Sequence, residues 1–317
     1  PGQSVAMSDG EVEPAASIVL ATGGRVRPLP VDGADLSGVH FLRTIDDVLA
    51  FRDRLKPNTK LAIVGGGYIG LEVAAVATKL GCAVTVLEMT NRVLNRVAAP
   101  VVSDFYTRVH REAGVDIRTD VTVSGFEGDT TVKQVVCTDG SRIDTDVVII
   151  GIGIIPNVEL AEAAGLAVEN GITVDAMTRT SAETVYAVGD CTNHPNDLLG
   201  RRLRLESVQN ALSQGKTAAN AILGKAEPYA EIPWFWSDQY DIKLQMVGIN
   251  DPDDQVIVRG DSNSRSFSVC YLRDGVLVAV NALNRPKDFI HAKKAIAAKV
   301  TPDSQRLADP EVPIKSL

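Results

Sequence analysis

The sequence has little of what metal sites, disulfide frameworks and nucleic-acid interfaces are built from. Its four cysteines, Cys82, Cys137, Cys191 and Cys270, lie far apart and form no CxxC pair. That spacing excludes a disulfide scaffold and a zinc ribbon, and suits a reducing cytoplasm. The four histidines, His40, His110, His194 and His291, are equally scattered, so no metal site is expected, and His194-Pro195 reads as a loop. No apolar run approaches the roughly 18–20 residues that a membrane span needs. There is also no basic-plus-apolar leader to mark the chain for export. A net charge of −8 argues against non-specific nucleic-acid binding. What remains is ordinary for a globular protein, and 317 residues is too long for one core, so two or three domains are expected.

The order of apolar patterns is that of an α/β protein. After a strand, a Ser8-Asp9-Gly10 turn and a second strand over Ala16–Ala21, prolines 28 and 30 impose an extended loop. Thr44–Leu55 has helical spacing, with Asp46 and Asp47 where the helix dipole favours acids. The apolar run Leu61–Val64, a helix over Tyr68–Leu80 stopped by Gly81, and a strand over Ala83–Leu87 follow in turn. A further helix has Pro100 in its first turn and Gly114 beyond its end. Val115–Phe126 and Val132–Val148 read as hairpin strands, the latter turning at Thr138-Asp139-Gly140. Glu206–Leu223 reads as one helix. From Pro233 onward strands dominate until a closing helix over Pro286–Lys299, which marks a separate α+β domain.

Gly65-Gly66-Gly67-Tyr68-Ile69-Gly70 matches G-x-G-x-x-G. Such a turn alone is weak evidence, but this one follows a strand, opens a helix and precedes a strand ending in Glu88, 23 residues after Gly65. That context is the dinucleotide fingerprint. Gly65 would make the tight turn, Gly67 would let the backbone approach a pyrophosphate, and Gly70 would allow close helix–strand packing. Glu88 would accept hydrogen bonds from a ribose 2′-hydroxyl, favouring NADH, although Arg92 and Arg96 keep NADPH open. Gly151 and Gly153 end a later buried strand and are candidates for the same site. Two further glycine turns, Ala21-Thr22-Gly23-Gly24 and Val188-Gly189-Asp190-Cys191, end buried strands on either side of this segment. An acid after a glycine is also an ordinary turn former.

Taken together, these features and the segments Leu20–Pro30, Leu42-Arg43-Thr44, Gly65–Glu72, Gly153–Asn157, Tyr186–Cys191, Glu206–Asn210 and Pro233–Tyr240 carry a specific resemblance. The chain resembles, over essentially its whole length, the putidaredoxin reductase-like family of FAD-dependent NADH:ferredoxin reductases, within the glutathione-reductase-fold flavoproteins. The resemblance implies a bacterial, cytoplasmic enzyme that takes hydride from NADH and passes single electrons to a [2Fe–2S] ferredoxin serving a cytochrome P450 or a dioxygenase. It implies that Thr22, Gly23 and Arg43 contact the flavin nucleotide, Asp190 the ribityl chain and Val208 the flavin ring. Glu72 would approach the nicotinamide, although an acid in a helix's first turn is also favoured by the dipole alone. Trp236 would lie near the flavin edge and the docking face, with Trp234 in the core. Lys216 stands where the family carries a docking arginine, and Arg201, Arg202 and Arg204 would form a basic patch for an acidic partner or else a solvated charged loop. The cofactor supplies the reactivity in such a system, so the lack of a Ser/His/Asp set or carboxylate pair is consistent with it.

The implied fold interleaves FAD- and NAD-binding Rossmann-like domains and adds a C-terminal α+β domain. The expected bounds are 1–43 with 166–227 for flavin, 44–165 for NAD and 228–317 for the last domain. One departure stands out: no second glycine fingerprint is present for the FAD pyrophosphate, and the chain opens at Pro1 without Met. The N-terminal flavin βαβ unit is therefore expected to be missing, and the chain to bind NADH while holding FAD poorly. Competing expectations are a rubredoxin- or nitrite-reductase-type NADH flavoprotein, and a non-enzymatic redox sensor of the apoptosis-inducing-factor type. A disulfide reductase is disfavoured because nothing after Pro228 offers its His-Pro-Thr…Glu pattern. A monomer is the default expectation.

Overall fold

The computed structural model describes residues 3–225 and 227–317. Pro1, Gly2 and Ala226, which fall inside the expected flavin-domain bounds, lie outside the described residues. The chain divides into two compact units, residues 1–25 with 154–235 and residues 26–153 with 236–317.

The larger unit is built around a parallel sheet in the order Val39–Phe41, Val147–Ile150, Lys60–Val64, Ala83–Leu87, Asp116–Arg118. Its central strands are near-continuous apolar runs because both faces are covered, as parallel sheets require. Leu61, Ala62, Ile63 and Val64 are all buried, as are all four residues of Val147–Ile150. One face carries the antiparallel sheet Arg142–Asp144, Val132–Cys137, Val123–Gly128, whose Phe126, Val135 and Ile143 pack with Val64 and Ile150 in one core. The helices Tyr68–Lys79 and Pro100–Glu112 follow their strands, the second with Pro100 at its first position. Thr44 caps the helix Ile45–Arg52 in a capping box with Asp47, yet Ile45 and Leu49 are exposed and Phe51 is its buried contact.

Residues 236–317 of the same unit form most of a five-stranded sheet in the order Trp234–Gln239, Ile242–Gly248, Val276–Leu283, Phe267–Arg273, Gln255–Arg259. The helix Pro286–Ala297 packs on Val276–Leu283 and Ile242–Gly248. A second short helix, Ser304–Ala308, follows it, where one closing helix was expected. The buried guanidinium of Arg259 anchors this tail, donating to the carboxylate of Asp288 and to the carbonyls of Leu307, Asp309 and Val312.

Within the smaller unit, Ile18–Leu20 runs parallel to Val185–Ala187, and Gln3–Ala6 forms a hairpin with Val12–Ala15. The strand expected over Ala16–Ala21 is the shorter Ile18–Leu20, and Val12–Ala15, paired back on Gln3–Ala6, is a further strand before it. Val115–Phe126 likewise divides between two sheets. Asp120 adopts φ +57° there, and its N–H is held by the Thr90 carbonyl, so the chain turns out of the parallel sheet before Val123. His194-Pro195 is not a loop: it lies in the strand Thr192–Asn196, paired with Arg201–Leu203, a segment expected as a basic patch or a charged loop. His194 is buried there against the ring of Tyr229.

Candidate functional site

The nucleotide turn Gly65–Gly70 shows why it is glycine-rich. Gly65 has φ +110°, and a side-chain carbon on it would lie 2.5 Å from the Gly151 carbonyl oxygen. A carbon on Gly70 would lie 2.1 Å from the carbonyl oxygen of Gly65, so only glycine lets the helix approach its strand. Gly67 is different: nothing lies within 4 Å of such a carbon. It opens the helix Tyr68–Lys79, whose start no side chain caps. Its unpaired amides and dipole therefore favour an anion at that place.

Glu88 closes the far side of the turn. Its Oε2 accepts from the Gly66 N–H at 2.8 Å, and its Oε1 accepts from the N–H and hydroxyl of Thr90, both at 2.8 Å. A carboxylate has about four acceptor positions, so one, on Oε2, remains for a ribose hydroxyl. Arg92 is committed elsewhere, donating to Ala98 O, Asn95 O and Ser103 Oγ. It thereby holds the 95–98 loop and is not a ready partner for a 2′-phosphate. Arg96 is exposed and lies near Gly153, which takes φ +100°. The structure therefore brings Gly65, Gly67, Gly70, Glu88 and Gly151 to one strand end.

Glu72, one turn into the helix, is half-buried, and Ser237 Oγ donates to its Oε1 at 2.5 Å. Burial raises its pKa, opposed by the Ser237 hydrogen bond and aided by nearby Asp238. Tyr68 is anchored by its hydroxyl on Met246 Sδ, while Ile69 is exposed. Trp236 is 46% exposed on the strand Trp234–Gln239, whose next residue, Ser237, points inward and is fully buried. Arg43 immediately precedes the capped helix, and its N–H donates to Asp47.

In the smaller unit, Thr22 and Gly23 are locked to Asn157: the Thr22 hydroxyl donates to Asn157 O at 2.6 Å, and Asn157 returns bonds to Thr22 O and Gly23 O. Leu20 and Ala187 are in register on parallel strands, so the Thr22-Gly23 and Gly189-Asp190 turns leave the same strand edge. In open α/β sheets the carboxyl ends of strands are where ligands bind. Gly189 takes φ +82°, with its N–H donating to Gln214 Oε1 on the helix Val208–Ile222. Val208 is exposed at the first position of that helix, after the Ser207 cap. Gln209 Oε1 and Gln214 Nε2 are buried without a partner on this helix, and Gln214 is the one tied to the turn, an arrangement that suits a polar ligand there. The basic patch is only partly available. Arg202 donates to Val174 O and Asn193 O, and Arg204 pairs with Glu206, whereas Lys216 is exposed.

Ser237 and Thr90 escaped sequence reasoning. Alternation along Trp234–Gln239 could have flagged Ser237 and Gln239 as inward-facing polar residues, but it names no partner for either.

Among the described residues, no helix is long and apolar enough to cross a membrane, and no cluster of His, Cys, Asp and Glu could hold a metal ion. Residues 2–215 match the family model described as pyridine nucleotide-disulphide oxidoreductase, and residues 234–317 match that of the reductase C-terminal domain. The chain is 46% identical to putidaredoxin reductase CamA of Pseudomonas putida, across 99% of this chain and 76% of that protein. It is 44% identical to the ferredoxin–NAD(+) reductase component of the anthranilate 1,2-dioxygenase system of Burkholderia cepacia, across 99% and 78%. Among solved structures, the covalent putidaredoxin reductase–putidaredoxin complex superposes with a TM-score of 0.96, covering 99% of this chain and 77% of that one. The ferredoxin reductase of the CYP199A2 system of Rhodopseudomonas palustris superposes with the same TM-score at 37% identity, covering 99% and 78%. The chain therefore belongs to the pyridine nucleotide-disulphide oxidoreductase family, in its putidaredoxin reductase-like branch.

Proposed function

We propose that this protein is an FAD-dependent NADH:ferredoxin reductase that feeds electrons from NADH to a [2Fe–2S] ferredoxin of a cytochrome P450 or dioxygenase system. The observation that carries the reading is the finished nucleotide turn, with Gly67 open to a ligand and Glu88 held behind it, in a chain that belongs to this branch. The open glycine and uncapped helix start would receive the pyrophosphate, and Glu88 the adenosine ribose. The Glu72 carboxylate would accept from the nicotinamide carboxamide, which carries the ring's N–H donors.

Thr22, Gly23, Arg43, Asp190 and Val208 would hold FAD, which supplies a hydride acceptor able to release electrons singly. The side chains then have to orient and exclude water more than to move protons. The domain bounds of 1–43 with 166–227 for flavin and 44–165 for NAD follow this reading, with 228–317 as the C-terminal domain. Trp236 is assigned to the electron exit because it is an exposed aromatic one residue from the Glu72 contact. Lys216, Arg201 and Arg202 would be the docking cations, all three exposed, with the Arg202 guanidinium also donating to the carbonyls of Val174 and Asn193. A bacterial cytoplasmic location is supported by the bacterial sources of the relatives and by four free cysteines.

The test is reduction of a [2Fe–2S] ferredoxin by NADH through the FAD-loaded protein, followed by loss of the cluster's visible absorbance. Rapid turnover is expected. Flavin reduction by NADH without transfer to any ferredoxin would favour a rubredoxin-type reductase or a redox sensor instead.

A further inference from the structure

The Glu72 carboxylate is the end of a chain of hydrogen bonds that no part of the nucleotide fingerprint explains. Tyr240 lies 3.0 Å from His110 Nδ1, and His110 Nε2 lies 2.8 Å from Gln239 Oε1. Gln239 Nε2 donates to Ser237 Oγ at 3.1 Å, and Ser237 Oγ donates to Glu72 Oε1 at 2.5 Å. The directions are forced. An amide oxygen only accepts, so His110 Nε2 carries the proton and Nδ1 accepts from the Tyr240 hydroxyl. Each donor therefore points toward Glu72. Burial lowers the His110 pKa against the opposing Gln239 hydrogen bond, which favours the neutral ring that this pattern requires. Ser237, Gln239 and His110 are each fully buried. The outer end is fastened to the same helix as Glu72, because Lys79 Nζ donates to the Tyr240 carbonyl.

We propose that Ser237 is a positioning residue of the NADH site, one that fixes the Glu72 carboxylate for the nicotinamide carboxamide and is itself held by Gln239, His110 and Tyr240. The proposal rests on the reductase reading above. The chain is not a proton path, since an amide group in its middle does not relay protons. Its effect is geometric and electrostatic. With its oxygen occupied by Gln239, Ser237 can place its one proton only on Glu72, which selects one carboxylate rotamer. It also favours the ionised form against burial. The other titratable groups facing Glu72 are Asp238 on the same strand as Ser237 and Tyr106 on the helix Pro100–Glu112, and Tyr68 lies four residues before Glu72 on its own helix. Asp238 opposes ionisation of Glu72, and both tyrosines are held neutral by burial. Ser237 is thus the group that favours the carboxylate.

The test is NAD⁺ affinity of the FAD-loaded enzyme by calorimetry across pH 5–8, with NADH KM and kcat measured alongside. Ser237→Ala is expected to weaken NAD⁺ binding about fivefold and to raise KM with little change in kcat, the size of one charge-assisted hydrogen bond's positioning effect. The pH midpoint of affinity should rise by about half to one unit, because the carboxylate then protonates more easily. Ser237→Thr keeps the hydroxyl and should restore both. In a Glu72→Gln background, adding Ser237→Ala should change affinity less than about twofold, since coupled residues are not additive. A merely structural Ser237 would lower thermal stability in both backgrounds and leave the pH midpoint unmoved. Wild-type affinity and midpoint in Ser237→Ala overturn the proposal, and equal losses in both backgrounds do the same. Should Ser237→Ala fail to fold, Ser237→Cys, a weak donor of similar size, is read by the same criteria. A wild-type enzyme that neither binds NAD⁺ nor is reduced by NADH removes the reductase reading, and this one with it.

Discussion

Two of the glycine turns that end buried strands, Gly65–Gly70 and Val188–Asp190, are finished differently. The nucleotide turn Gly65–Gly70 is closed by its own neighbourhood: Gly66 bonds to Glu88, Gly65 and Gly70 pack carbonyl against helix, and Gly67 alone faces open space. The flavin-side turn Val188–Asp190 is closed from a distance, by Leu20 on another strand and Gln214 on a helix. Seven of the nine buried side-chain nitrogen and oxygen atoms without a partner, among the described residues, lie in the smaller unit with that turn. They belong to Thr178, Arg179, Asn193, His194, Gln209 and Gln214. Buried polar atoms are ordinarily paired, so their concentration marks a region organised for a polar ligand or ordered water. The difference teaches that one site is specified by close backbone packing and the other by hydrogen bonds from another strand and a helix.

The strongest way to break this comparison is within the nucleotide turn itself. Gly70→Ala places a carbon 2.1 Å from a backbone carbonyl that has no room to move, whereas Gly67→Ala meets nothing within 4 Å. The first should destabilise the protein by about 3 kcal/mol or more and abolish reduction by NADH. The second should leave the melting temperature within about a degree and weaken NAD⁺ binding about tenfold, by crowding the pyrophosphate. Thermal unfolding and calorimetry on the pair separate packing from ligand approach. Equal melting temperatures for the two would contradict the account of Gly70.

The flavin-side turn should answer in the opposite currency. Asp190→Ala is expected to release FAD, raising its dissociation constant by at least about tenfold, while NAD⁺ affinity stays within twofold. Flavin absorbance retained through gel filtration measures it. Parallel loss of both nucleotides would mean the two turns are one site.

Acid should also find the smaller unit first. Burial, aided by Arg202, pushes the His194 pKa down to about 4 from 6.5. The unfolded chain then binds a proton between pH 6.5 and 4 that the folded state refuses, so stability is lost as pH falls through that window. From pH 7 to 5 the loss is about 2 kcal/mol, and His194→Phe should remove most of this pH dependence in urea unfolding. His110 in the larger unit shifts in the same direction, so the variant flattens the profile without abolishing it.

What could be read in advance follows the same division. The strand Leu61–Val64, its glycine turn, the helix and Glu88 were legible because the motif itself spans some 25 residues and its spacing has one steric solution, although Gly65 packs on Gly151 and the strand pairs with Val147–Ile150. The capped helix after Thr44 was legible for the same reason, as was Pro100 at a helix start. Illegible features depend on pairing that no local spacing announces, whether the partner is near or far along the chain. His194-Pro195 looks like a loop until Arg201–Leu203 returns to pair with it, and Val115–Phe126 looks like one strand until Asp120 turns the backbone. Ser237 carries no local signal because its meaning comes from a helix 165 residues away. The same dependence explains the basic patch: Arg202 and Arg204 read as solvated charges, but carbonyls of Val174 and Asn193 and the carboxylate of Glu206 take them up.

The smallest expected effect sharpens the comparison most, because it asks whether the local turn also sets cofactor choice. Glu88 holds the Gly66 N–H with one oxygen and Thr90 with the other, while Arg92 spends its guanidinium on Ser103 and on the Ala98 and Asn95 carbonyls. An anionic acceptor at this place attracts a ribose diol and repels a 2′-phosphate, and no committed cation compensates. Glu88→Gln keeps an acceptor of the same length but loses the charge. NADH should bind a few-fold more weakly and NADPH somewhat better, so the ratio of their kcat/KM values should fall about tenfold. Glu88→Ala should narrow the ratio similarly but also loosen the turn, since Gly66 and Thr90 lose their acceptor, and its NADH KM should rise further. If Glu88→Gln leaves the ratio unchanged, discrimination resides in Arg96 or beyond, and the carboxylate is then a brace for the glycine turn whose charge does not read the ribose.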